Sequence, residues 1–141
     1  MNFMPEQRMI KIEAQQTQKE YYNNIIDKLK QHLQISKPVK VQFGSVSDYD
    51  GGQTGATYFD VPSKAIMIYI NPKSEIIRAI CHEMVHAKQI DDGRLFLGEI
   101  KGRIVMQWEG EMVDPKYDRN SPWEVEAHIQ EKELFDSVTG R

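Results

Sequence analysis

The sequence predicts an α+β domain in which a small, mainly antiparallel sheet packs on helices. Apolar residues recur at helical spacing in three segments and alternate with polar residues in the segments between them. Glycine, proline and asparagine separate the two patterns. The predicted order is therefore helix, strands, helix, strands, helix. We expect residues 1–141 to form one domain, because this length suits a single core.

The first helix is expected from about Thr17 to Gln34, where apolar residues return every three or four positions, and Pro38 closes it. Residues 1–16 lack clear periodicity and are expected to form a loose arm. Residues 39–45 alternate apolar and polar side chains, which predicts a strand.

The glycine-rich segment 48–55 is expected to be a loop. Its two aspartates suggest a calcium loop, but the twelfth position is Phe59 and not glutamate, so no calcium site is predicted. Residues 57–70 predict a hairpin that turns near Pro62 and Ser63, with a second arm rich in β-branched and aromatic residues.

A second helix is expected to begin at Asn71-Pro72 and to run to about Asp91, with Gly93 as its terminator. Residues 103–114 predict two short strands that turn near Glu109-Gly110. A last helix is predicted from Ser121-Pro122 to about Ser137.

Composition narrows the range of functions. The net charge of −3 gives no electrostatic reason to expect a nucleic-acid partner. The longest apolar run, residues 66–70, is too short to span a bilayer, and the N-terminus lacks the apolar segment of a secretory signal. A single cysteine, Cys81, favours a reducing compartment. We therefore expect a cytoplasmic protein with no membrane partner.

The strongest functional signal is AICHEMVHAKQ, residues 79–89. His82 and His86 are one helical turn apart, so both imidazoles face the same side and can chelate one Zn²⁺ ion. Glu83 is turned by about 100° from His82, which places it beside the metal as a general base for a zinc-bound water. The pattern predicts a zinc-dependent peptidase. The alternative is two solvated histidines on an amphipathic helix. Cys81 is expected to be a core residue.

A catalytic zinc site needs a third protein ligand, and no third histidine follows at short spacing. SPWEVEAH, residues 121–128, concentrates three candidates. Glu124 could instead complete a capping box, and Glu126 could complement the helix dipole. Helical spacing places Glu124 and His128 on one face and Glu126 on the other. Glu124 is favoured over Glu126, and both over His128, which could hydrogen-bond a ligating histidine.

HEMVH followed by a Glu-x-x-Ala helix resembles the gluzincin branch of zinc metallopeptidases. The chain is also similar to short metallopeptidases of bacteria and bacteriophages, which are loosely akin to the SprT-like and ImmA/IrrE-like groups. The similarity rests on HEMVHAKQ, the Trp-x-Gly turn at Trp108 and the Tyr117 ahead of PWEVEA. The resemblance covers residues 56–134. It implies a minimal zincin-like fold and a cytoplasmic location in a bacterial cell or a phage-infected host.

The resemblance also implies the parts of the site. It gives one Zn²⁺ held by His82, His86 and Glu124, with His128 supporting a ligating histidine. It implies that residues 64–70 form an edge strand on which an extended protein or peptide substrate pairs.

Three matters stay open at this level. Tyr117 could donate a hydrogen bond to the oxyanion of the reaction or simply pack, whereas Trp108 and Trp123 are expected to close the core beneath the site. The chain could also be a zinc-binding, catalytically silent structural or host-interaction module. The sequence carries no visible signal for the oligomeric state.

Overall fold

The computed structural model describes residues 5–44 and 54–140, with side chains from Thr17 onward. The helices are α1 (Pro5–His32), α2 (Ile76–Asp91) and α3 (Pro122–Thr139). The strands are β1 (Val39–Phe43), β2 (Gly55–Asp60), β3 (Ala65–Ile70), β4 (Leu95–Ile100), β5 (Arg103–Trp108) and β6 (Glu111–Val113). The predicted α+β class is confirmed.

The strands form two three-stranded sheets, where the sequence predicts one. The first has the order β1-β3-β2, with β1 parallel and β2 antiparallel to β3. The second is the antiparallel meander β4-β5-β6. Strand β4 lies outside the predicted elements. The connection between β1 and β2, including most of the calcium-like segment 48–55, lies outside the described residues.

The expectation that residues 64–70 form an edge strand is wrong. Strand β3 lies at the centre of its sheet, because Ile66 pairs with Val39 on one side and Phe59 on the other. The side chains of Ile66, Ile68 and Ile70 are at most 1% exposed. An apolar run of this kind is typical of a strand covered on both faces. The edges of this sheet are β1 and β2.

Both predicted hairpins are confirmed. The first turns between Asp60 and Ala65, as the proline-serine pair there predicts. The second turns at Glu109 and Gly110, whose φ angles of 51° and 84° are those of a tight turn between antiparallel strands. Gly93, with a φ of 78°, follows the end of α2 as expected.

Two helix starts differ from the predictions. The backbone of residues 5–16 continues α1 where a loose arm is expected, because good helix formers can be helical without an apolar stripe. Helix α2 starts at Ile76 and not at Asn71-Pro72. The Asn71 side chain instead accepts a hydrogen bond from the Lys73 amide at 3.0 Å, which makes a turn that competes with the helix.

Helix α2 lies in the middle of the molecule, in contact with the first sheet, β4 and both other helices. Its core residues Ile80, Cys81, Met84 and Val85 are at most 1% exposed. Cys81 is fully buried and is therefore a core residue as predicted. Burial raises the pKa of its thiol to about 12. None of the described helices is long and apolar enough to cross a membrane.

The C-terminal turn of α2 is hydrogen-bonded to the segment between α1 and β1. The Asp91 carboxylate accepts hydrogen bonds from the Ser36 and Lys37 amides at 3.0 and 2.9 Å. Burial alone would raise the pKa of Asp91, but these hydrogen bonds outweigh it and hold the pKa below its usual value. The ionised form is therefore stabilised by folding.

We expect Asp91→Asn to lower the free energy of unfolding by about 1–3 kcal/mol at neutral pH, because asparagine is neutral and has only one side-chain oxygen to accept from the Ser36 and Lys37 amides. Since the folded-state pKa is depressed, the wild-type advantage is complete above the unfolded pKa of about 4 and disappears as pH falls through the folded pKa. Urea unfolding from pH 7 to acid measures this. The control Asp92→Asn, which removes only an exposed pair with Lys88, should change stability by less than about 0.5 kcal/mol.

Candidate metal centre

The site is built where α2 crosses α3. Glu124 Oε1 lies 3.0 Å from His82 Nε2, and Glu124 Oε2 lies 3.1 Å from His86 Nε2. All three residues are buried, at 9% exposure or less. The two histidines face the same side, as their spacing predicts, and their ring centroids are 4.9 Å apart. One carboxylate thus faces both imidazoles in a site screened from water.

The Glu124 side chain is not used for capping. Ser121 makes no side-chain capping hydrogen bond, and its amide donates to the Asp118 carbonyl oxygen at 3.1 Å and not to Glu124, so the capping-box interpretation of Glu124 does not hold. The carboxylate turns inward toward α2 instead. A buried carboxylate with imidazole partners is a far better candidate for metal ligation than a surface glutamate.

The electrostatics of the three residues are coupled. Burial would lower the pKa of His82, but its hydrogen bonds to Glu124 and Glu131 and the charge of Glu83 outweigh it and raise the pKa to about 10. The pKa of His86 is raised for the same kind of reason, by the nearby carboxylates of Glu124 and Glu83. Burial would raise the pKa of Glu124, but the two histidines hold it at about 2. A cation that bound here would have to displace the imidazole protons.

One polar atom of the site has no aligned partner. His86 Nε2 is buried and makes no hydrogen bond to any of the described residues, because its close approach to Glu124 is poorly oriented. A buried polar nitrogen without a partner is costly. A metal ion between His86 and Glu124 would satisfy it, so the residues present fit a metal.

His128 joins the same cluster. Ligand atoms of His82, Glu124 and His128 lie within 4.8 Å of one another, so this group could hold a metal ion. The His128 side chain is 42% exposed, and its ring centroid lies 4.6 Å from that of His82. Among the described residues, His128 makes no hydrogen bond to His82 or His86. It packs beside the site and stays available to solvent.

Glu131 makes the contact with a histidine of the pair that the resemblance assigned to His128. His82 Nδ1 lies 2.8 Å from Glu131 Oε1, which leaves His82 Nε2 to face Glu124. Glu131 Oε1 is also 3.3 Å from His128 Nδ1, and its other oxygen is 3.6 Å from Arg78. A carboxylate behind a ligating histidine orients the ring and increases its basicity.

Glu126 points away from the histidine pair, as its helical position predicts. Both of its oxygens lie 2.9 Å from the Arg94 guanidinium in a two-pronged ion pair. Its Oε1 also accepts a hydrogen bond from Gln89 at 3.0 Å. Arg94 and Gln89 together lower the pKa of Glu126. These contacts occupy the carboxylate outside the centre.

Glu83 lies beside the histidines, and strand β2 holds it. Thr57 Oγ1 donates a hydrogen bond of 2.7 Å to Glu83 Oε1. Gly55 packs against the same side chain, since a Cβ at that position would lie 2.9 Å from Glu83 Cγ and 2.8 Å from the Tyr69 carbonyl oxygen. Glu83 is 4% exposed. The edge strand β2 therefore fixes the position of the candidate base.

We expect Gly55→Ala to lower the free energy of unfolding by about 1–3 kcal/mol and to displace Glu83, because the new methyl group meets a backbone oxygen and the Glu83 stem. Urea unfolding measures the first effect, and a crystal structure of the variant measures the second. Gly44→Ala is the matched control, since its added Cβ has no neighbour within 4 Å among the described residues. Equal stability of the two variants would contradict the close packing of Gly55.

Tyr117 precedes α3 and is 45% exposed. Partial burial raises the pKa of its phenol, and the charges of Glu124 and Glu83 raise it further. The phenol is thus a proton donor at neutral pH. Trp108 and Trp123 contact each other at 5.7 Å between ring centroids, and Trp123 belongs to the core.

Sequence reasoning missed three residues of this centre: Glu131, Gln89 and Thr57. Glu131 carried a signal, because it follows Glu124 by seven positions and so shares its helical face. Gln89 follows His86 by three positions, which also places it on a neighbouring face. Thr57 had no such signal, since only the pairing of β2 with β3 and the packing of α2 bring it to Glu83.

Comparison with family models, curated proteins and solved structures finds no match for this chain. The interpretation of the centre therefore depends on its own geometry. That geometry provides two imidazoles, a carboxylate shared between them and a second carboxylate beside them.

Proposed function

We propose that this protein is a zinc-dependent metallopeptidase with a minimal zincin-like fold and that His82, His86 and Glu124 hold one Zn²⁺ ion. The observation that carries the proposal is the Glu124 carboxylate, which lies 3.0–3.1 Å from the Nε2 atoms of both histidines. Two imidazoles and one carboxylate are a common ligand set of catalytic zinc.

The remaining residues have roles that suit hydrolysis of a peptide bond. A bound zinc ion supplies Lewis acidity, which polarises a carbonyl group and makes water more acidic. Glu83 acts as general base and takes the proton of the attacking water. Because Thr57 donates to Glu83 Oε1, that bond orients the carboxylate and leaves Oε2 as the oxygen available to accept the proton.

Tyr117 stabilises the developing oxyanion through its phenolic hydrogen. We expect Tyr117→Phe to lower kcat on the order of 10²-fold, the usual effect of losing one oxyanion donor. Zinc affinity should be unchanged, since Tyr117 contributes no ligand. Steady-state hydrolysis of a fluorogenic peptide measures kcat, and an unchanged kcat would assign Tyr117 to packing alone.

The proposed function is tested by zinc content and hydrolysis together. We expect one zinc per chain and cleavage of an unfolded protein substrate. A chelator should abolish the cleavage, and stoichiometric zinc should restore it. A protein that binds no zinc, or that cleaves equally well with and without chelator, would contradict the proposal.

The second candidate function is a zinc-binding module without catalysis, with structure or host interaction as its role. It is favoured by the position of His128, whose ligand atom lies within 4.8 Å of those of His82 and Glu124. A fourth protein ligand would close the coordination sphere, as in structural zinc sites. The cobalt-substituted protein separates the two: a small hydroxamate should change its visible spectrum only if a coordination position is open.

A further inference from the structure

Gln89 is a buried polar residue whose every hydrogen-bonding group is paired. Its side chain is 1% exposed. Gln89 Nε2 donates to the Trp123 carbonyl oxygen at 3.1 Å and to Glu126 Oε1 at 3.0 Å. Gln89 Oε1 lies 2.8 Å from His86 Nδ1. Neither Trp123 O nor the Glu126 carboxylate can donate a proton, so these two contacts fix which end of the amide is NH₂.

The fixed amide determines the state of His86. Because Gln89 Oε1 is an acceptor, His86 Nδ1 must carry the hydrogen, and Nε2 is the nitrogen that faces Glu124. We propose that Gln89 is a positioning residue that selects the Nδ1–H tautomer of His86 and so presents its Nε2 lone pair to the metal. This inference rests on the proposed zinc site and adds the residue that prepares one of its ligands.

The positioning extends outward to the second sheet. Glu126 is held by the two-pronged ion pair with Arg94. The Arg94 Nε donates to Glu109 at 2.7 Å, and the guanidinium stacks 4.8 Å from the centre of the Trp108 ring. The sequence left Glu126 open as a ligand. These contacts indicate instead that Glu126 would influence a bound metal through Gln89 and His86.

The two histidines are supported differently. His82 Nδ1 faces the anionic Glu131, whereas His86 Nδ1 faces a neutral amide. An amide sets the tautomer without adding a negative charge next to the buried Glu83 and Glu124. Gln89 thus orients the His86 ring. A replacement of the same shape that keeps a hydrogen-bond acceptor should retain this effect.

The test compares two replacements of Gln89 that separate positioning from packing. Gln89→Met keeps the volume and suits a buried place, but it removes the acceptor for His86. Gln89→Glu keeps an acceptor oxygen and puts a charge beside Glu126, which is unfavourable for folding. Zinc affinity is measured by competition with a chelating indicator, alongside the visible spectrum of the cobalt-substituted protein and thermal unfolding. Ile90→Ala, a core change on the same helix, is the control.

We expect Gln89→Met to weaken zinc binding by about 10–100-fold and to alter the cobalt spectrum, as loss of such support usually does. Gln89→Glu should bind zinc more tightly than Gln89→Met even though it is the less stable of the two. Ile90→Ala should lose stability and keep the wild-type zinc affinity.

Wild-type affinity in Gln89→Met, or an affinity order that simply follows stability, would overturn the inference. Its failure can be told from failure of the proposed function. If the wild type binds zinc and cleaves no substrate, the proposed peptidase activity is refuted. The zinc affinities of the variants then still decide the role of Gln89. A wild type that binds no zinc refutes both.

Discussion

Glu83→Gln is expected to lower kcat by about 10²–10⁴-fold, because glutamine cannot accept the proton of the attacking water. Its side-chain oxygen can still accept the 2.7 Å hydrogen bond from Thr57. The fold should therefore be kept, and the loss of a buried negative charge should not destabilise it. Zinc content should stay at one per chain. Hydrolysis of an unfolded protein substrate and metal analysis of the same sample measure both effects.

Glu133→Gln is the matched control for this change. Glu133 is an exposed glutamate on α3, so its replacement should leave kcat and zinc content at the wild-type level. Equal, non-zero activity in the wild type and Glu83→Gln would rule out Glu83 as the general base. Loss of zinc from Glu83→Gln would instead indicate that Glu83 is a ligand.

Glu124→Gln is expected to have the second large effect. Glu124 faces both histidines, and a neutral amide is a much poorer zinc ligand than a carboxylate. Zinc affinity should fall by more than about 100-fold, since the loss of a group that only supports a ligand already costs 10–100-fold. Hydrolysis should fall in parallel and should be partly restored by excess zinc. Competition with a chelating indicator measures the affinity.

Glu126→Gln is the comparison that settles which glutamate completes the site. Glu126 belongs to the ion pair with Arg94 and reaches His86 only through Gln89. Its replacement should weaken zinc binding by less than about 10-fold, because it is one step further from the metal than Gln89, whose loss is expected to cost about 10–100-fold. A larger loss in Glu126→Gln than in Glu124→Gln would reverse the assignment.

Local patterns predicted most of the elements and the core of the site. The hairpins, the end of α2 and the start of α3 follow from turn residues and capping residues, whose effects act within a few positions. The proximity of His82 and His86 follows from helical spacing alone. The preference for Glu124 over Glu126 also came from helical faces, and the two carboxylates do point in different directions in the structure.

Long-range pairing accounts for the parts that local patterns could not predict. The central place of β3 depends on a parallel partner, β1, whose residues pair with those 27 positions later in the chain. Thr57 reaches Glu83 only because β2 is the edge strand next to α2. Glu131 is an intermediate case. Its helical face could be predicted from the sequence, but its contact with His82 Nδ1 depends on how α3 crosses α2.

The central claim is that one zinc ion is held by His82, His86 and Glu124 with a position open for water. Anomalous diffraction at the zinc edge from a crystal of the zinc-loaded protein tests it most directly. We predict one peak at about 2.0–2.2 Å from the Nε2 atoms of His82 and His86 and from an oxygen of Glu124, with a water as the remaining ligand. A peak elsewhere, ligation by Glu126, or a sphere closed by His128 without water would contradict the account.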